Sequence, residues 1–127
     1  MHSGQKSVPA HAETLHCDAI PILVISGEID SQTVDIVFDE VDKCLVTRPQ
    51  AMVLELDAVT FLGSAGLRLL LHAHLGMEKV DARLAVVAAH STVLKPLRIT
   101  DLDQTLVLYP SRSDALVAVG ASPTGSR

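Results

Sequence analysis

The sequence predicts an α/β layer fold whose central sheet is largely parallel and covered mainly on one face by helices. Three observations carry that expectation. Apolar, β-branched runs of strand length alternate with segments whose apolar residues recur at helical spacing. Turn-forming residues fall between them. The chain has 127 residues, enough for one domain with its own core but short for a sheet covered equally on both faces.

The elements follow in order. Residues 1–11, "MHSGQKSVPAH", are polar and contain proline, and are expected to be a disordered tail. The folded domain then spans 12–119, and 120–127, "GASPTGSR", forms a second tail. A weak strand is expected around Glu13 to Cys17 and a stronger one in "AIPILVIS", Ala19 to Ser26. "GEID", Gly27 to Asp30, is expected to break that strand, with Gly27 at a tight exit. Val34, Val37, Phe38, Val41 and Leu45 then fall at helical spacing and predict a helix with one buried stripe, which Cys44 shares. Ser31 or Asp30 is its candidate N-cap.

Met52 to Leu56 reads as a central strand, and a helix opens near Ser64 with Leu67, Leu70, Leu71 and Leu75 on one face. "ARLAVVAA", Ala82 to Ala89, is another buried strand. A helix within Ser91 to Ile99 should be kinked or very short, because Pro96 lacks an amide proton and crowds the carbonyl four residues back. A strand at Thr105 to Tyr109 and a helix at Arg112 to Val119, capped by Ser111, complete the chain.

Composition narrows the function classes. The net charge of -5 and an aromatic content of 2% supply neither the basic footprint nor the stacking surfaces that nucleic-acid binding needs. Two cysteines, Cys17 and Cys44, make no disulfide framework and are expected as reduced thiols in a cytosolic protein. No run approaches about 18 apolar residues, so no membrane span is expected. The first residues lack the apolar centre of a signal peptide. The expectation is a soluble, cytoplasmic protein.

Ser64 is the central chemical question. It lies between Gly63 and Gly66 in "VTFLGSAGLRLLL", Val59 to Leu71, where a strand gives way to a helix. A nucleophile elbow needs glycine two residues before the serine, and Leu62 stands there. Asp81 and His90 follow in the order of a triad but flank a buried strand. His72 and His74, two apart on a helix, point about 200° apart and share no ligand. "LGSAGL" has neither a dinucleotide fingerprint nor a phosphate-loop lysine. No catalytic residue, metal, cofactor or small-molecule substrate is therefore expected. Ser64 remains as a helix cap or as a phosphoacceptor, since a helix start tolerates an added anion. Glu28 and Asp30 place two acids in a short loop at a neighbouring strand end. They serve either as turn and capping residues or as one recognition surface with the Ser64 turn.

Two stretches, "LVISGEIDSQTV" and "VLELDAVTFLGSAGLRLLL", together resemble STAS domains, specifically the anti-anti-sigma factors of bacterial partner-switching systems. The similarity runs from about residue 13 to 118. It implies a small mixed sheet with helices on one face. It also implies a regulator that binds an anti-sigma factor, itself a serine kinase, and so frees a sigma factor. By that resemblance Ser64 is the phosphoacceptor whose modification ends the association. Glu28, Asp30, Ser31, Gly63, Ser64, Ala65 and Gly66 are the partner-binding positions. The chain departs from the family pattern at Gly63, where the family has Asp, and at Ala65, where it has a second hydroxyl residue. It departs again at Pro96, where the family has a helical residue, and at Asp101, where the family often has Gly. The alternative is a STAS module of a transport or signalling complex without control by phosphorylation.

Overall fold

The structure, a computed structural model, describes residues 9–120. Its elements in chain order are β1 (His11–Cys17), β2 (Ile20–Ile29), α1 (Val34–Val46), β3 (Ala51–Leu62), α2 (Ser64–Glu78), β4 (Arg83–Val87) and α3 (Ser91–Ile99). A single 3-10 turn (Leu102–Gln104), β5 (Leu108–Tyr109) and α4 (Arg112–Ala118) follow. The sheet order is β1-β2-β3-β4-β5. β1 pairs antiparallel to β2, while β2 to β5 are parallel throughout.

Strand alternation sorts the core into two layers. Leu23, Ile25, Met52, Leu54, Leu56 and Val86 face one way and meet Val37 and Val41 of α1, Leu69, Leu70 and Ala73 of α2, and Val93 and Leu97 of α3. Ile20, Ile22, Val53, Ala85 and Val87 face the other way and meet Ala115 and Leu116 of α4. Three helices thus cover one face and one short helix covers part of the other. Arg112 fixes α4 by a bidentate pair with Glu55 of β3, at 2.6 and 3.0 Å. The Glu55 carboxylate raises the Arg112 pKa further above its ordinary range.

Several expectations need correction. "GEI" does not end the strand. β2 runs to Ile29 with register shifts against β3 on both sides of Gly27, the bulge that an interior strand glycine signals. Gly27 takes φ +88°, and a Cβ there would run into the carbonyl oxygen of Pro9. β3 is likewise longer than expected and reaches Leu62. β5 is only two residues, because the chain before it is still turning: the amides of Thr105 and Leu106 both donate to the Leu102 carbonyl.

The α1 stripe is as read, with Val34, Val37, Val41 and Cys44 buried. Of the expected α2 stripe, Leu70 is buried and Leu67 half-buried. Ala65, Gly66, Leu69, Leu70, Ala73 and Met77 are buried, while Leu71 and Leu75 are 36% and 46% exposed. α3 runs a full nine residues through Pro96. Thr92, whose carbonyl loses its usual helical partner to that proline, is exposed, where solvent can reach it. In the segment expected as an N-terminal tail, Ala10 is 5% exposed in the core and His11 opens β1. Residues 1–8 and 121–127 lie outside the described residues.

Candidate functional site

The C-terminal ends of β2 and β3 carry the two motifs, and parallel pairing brings them together. Glu28 lies opposite Phe61 and Ile29 opposite Leu62. The ladder then closes with the Gly63 amide donating to the Ile29 carbonyl at 2.9 Å. The chain leaves β2 into the turn 30–33 and leaves β3 directly into α2. Both exits therefore emerge at one rim of the sheet.

Asp30 organises the first exit. Its Oδ1 accepts from the amides of Gln32 at 2.9 Å and Thr33 at 3.1 Å. Its carbonyl accepts from Thr33 and Val34 at 3.2 and 3.0 Å. Neither expected cap is the N-cap of α1: Thr33 holds that position without a side-chain cap bond, Asp30 orders the turn before it, and Ser31 is exposed. Thr33 is the second hub, which sequence reasoning missed. Its hydroxyl donates to the Glu28 carbonyl at 2.6 Å and accepts from the Asp30 amide at 3.0 Å. An acid followed three residues later by Thr is the signal that could have found it. Glu28 is half-buried.

At the second exit Gly63 is the N-cap of α2, with φ -90° and ψ -173°, and it provides no side-chain cap. Ser64 is the first helical residue, exposed, with no hydrogen bond from its hydroxyl among the described residues. The reading of Ser64 as a cap is thereby corrected, because a side chain already in the first turn lies past the position from which it bonds the next amides. Its oxygen is open to chemistry from outside. Ala65 and Gly66 are buried and offer no side chain to a partner. A Cβ on Gly66 would run into Leu62 Cδ1 and lie 3.0 Å from Ile29 Cγ2, so this glycine serves close packing of α2 on β2 and β3. Phe61, 49% exposed, is the other residue that sequence reasoning missed. Its ring stands beside Gly63, with Cε2 3.0 Å from where a Cβ would sit.

The rim thus carries an acid-ordered turn, an exposed serine and an exposed aromatic. Residues 11–115 match the STAS domain family. The chain belongs to that family. The anti-sigma-F factor antagonist RsfB of Mycobacterium tuberculosis is 34% identical over 104 residues, which cover 80% of this chain and 83% of RsfB. The crystal structure of an anti-sigma factor antagonist from Mycobacterium paratuberculosis superposes with a TM-score of 0.82 at 34% identity, over 87% of this chain and 93% of that one. SpoIIAA, an anti-sigma factor antagonist solved in its unphosphorylated form, shares the fold at a TM-score of 0.73 and 16% identity, over 86% and 96% of the two chains.

The remaining constellations of this STAS domain do not assemble with Ser64. Asp81 follows the far end of α2, which is 15 residues long, about 22 Å along the helix axis, so the triad order is coincidental. His72 Nε2 instead pairs with Asp42 Oδ1 of α1 at 2.7 Å, and its ring leans on Phe38 with centroids 5.1 Å apart. His74 lies 3.9 Å from Glu78. No helix among the described residues is long and apolar enough to cross a membrane.

Proposed function

We propose that this STAS domain is a cytoplasmic, non-enzymatic anti-sigma factor antagonist. It binds an anti-sigma factor through the rim formed by the Asp30 turn and the start of α2, and so releases a sigma factor. The anti-sigma factor is a serine kinase. It transfers the γ-phosphoryl group of ATP to Ser64 Oγ, with ADP as the leaving group and the hydroxyl proton released. The observation that carries this reading is the shared rim: the bond from the Gly63 amide to the Ile29 carbonyl sets an exposed serine beside an exposed turn ordered by Asp30. The antagonists similar over most of the chain add support. A phosphate on Ser64 brings about -1.5 to -2 charges into the docking face, which repels acids and costs desolvation on the partner's side.

Gly63 and Ala65 favour one second reading. Without the acid beside Ser64, the partner docks and no kinase writes on the serine, as in a STAS module of a transport or signalling complex. One experiment separates the two. Ser64→Ala used as bait should capture an anti-sigma factor, and that protein with ATP should place phosphate on Ser64 of the wild type. Capture of an anti-sigma factor without phosphate on Ser64 supports phosphorylation-independent docking, and capture of none contradicts the antagonist reading.

A further inference from the structure

Four residues of α2, Ser64, Arg68, Leu71 and Leu75, fall within about 60° of one another at 100° per residue. They lie opposite the buried positions Gly66, Leu70, Ala73 and Met77. They form the outermost ridge of the helix, and Leu71 and Leu75 are exposed on it. Arg68 stands four residues after Ser64, one helical turn away on the same face, the orientation in which an anion N-terminal to a cation pairs best. Arg68 is exposed and makes no hydrogen bond or ion pair among the described residues. The other ionisable groups at this rim are Glu28 and Asp30, Asp35 in the first turn of α1, and His90 at the head of α3. Three of these four are acids, and Arg68 is the only Lys or Arg within α2.

We infer that Arg68 is the internal counter-ion for a phosphate on Ser64. In the unmodified protein the guanidinium is a cation offered to the partner on the docking ridge. In the modified protein it turns back one helical turn and pairs with the phosphate oxygens, as arginine does with phosphate. Phosphorylation then acts twice, adding a dianion and withdrawing the ridge's cation. This inference rests on Ser64 being the phosphoacceptor.

The test installs phosphoserine at residue 64 during translation, so that it does not depend on any kinase, and follows the second ionisation of the phosphate by 31P NMR. Arg68→Gln should raise the titration midpoint by about 0.3 of a pH unit, the size expected of a pair at this spacing. Arg68→Lys should restore most of the shift. Matching circular dichroism of the three proteins shows that the fold is kept. Equal midpoints in the wild type and Arg68→Gln would overturn the role of Arg68. Failure of a kinase to modify Ser64 would overturn only the reading of the site as a kinase target.

Discussion

At the residue scale, the same residue type serves different ends at neighbouring positions. Gly27 is required by its backbone: φ +88° and the Pro9 carbonyl oxygen lying where a Cβ would go. Gly27→Ala should destabilise the fold by about 2 kcal/mol or more in urea unfolding, because both left-handed strain and a clash with main chain oppose it. A loss under about 0.5 kcal/mol would show that the lead into β1 yields easily. Gly63, with ordinary φ, carries no such backbone requirement, and as the N-cap of α2 it leaves the helix start without a side-chain cap. Cys44 makes a different point. Burial holds its thiol pKa above the ordinary value, against the hydrogen bond with Thr14 that lowers it and together with the nearby Glu40 that raises it. The native state thus binds the proton more tightly than the unfolded chain. That stability is fully present below the unfolded pKa of about 8.5 and is lost as pH rises through the native value. Cys44→Ala should flatten the alkaline decline of stability above about pH 8.5, and an unchanged decline would contradict the assignment.

At the element scale, periodicity served where apolar residues are large and fails where small residues do the packing. α1 was legible because Val34, Val37 and Val41 recur at helical spacing and are buried, although Ile36 and Val46 are exposed. On α2 the leucines at 67, 70, 71 and 75 were expected on one face, but of these the helix buries only Leu70, together with Leu69, Met77 and the small residues Ala65, Gly66 and Ala73. Small side chains let α2 approach the sheet closely, and a count of leucines gives them little weight. β2 was cut short in the reading because Gly27 announces a turn as readily as a bulge. Asp30 was expected to cap α1 and instead orders the turn before it, while Thr33, the N-cap, left no trace in the pattern, since a side-chain network has no period. α4 shows how a seven-residue helix is kept in place, through Ala115 and Leu116 in the core and the Arg112–Glu55 pair above them. Arg112 is partly exposed, so Arg112→Ala should cost only about 0.5–1 kcal/mol, less in high salt. A salt-independent loss would assign that cost to packing instead.

At the scale of the whole molecule, the parallel pairing of β2 and β3 turns two motifs more than thirty residues apart into one rim. The order of the strands and the presence of Ser64 at a helix start could be read from the sequence. The burial of Ala65 and Gly66 and the exposure of Phe61 could not, because they depend on where β3 ends against β2. If the rim is the docking surface, Asp30→Ala should weaken binding of the anti-sigma factor about tenfold and lower stability by about 1 kcal/mol through loss of the turn. Removing residues 1–8 should change binding less, and the reverse order of effects would move the interface elsewhere. The central claim is that this rim binds an anti-sigma factor and that charge at Ser64 ends the association. The dissociation constants of Ser64→Ala and Ser64→Glu for the same anti-sigma factor, measured by titration calorimetry, test it most directly. Ser64→Ala should bind tightly and Ser64→Glu at least tenfold more weakly, a difference of about 1.4 kcal/mol, with both circular dichroism spectra like the wild type. Equal affinities with intact folds would contradict it.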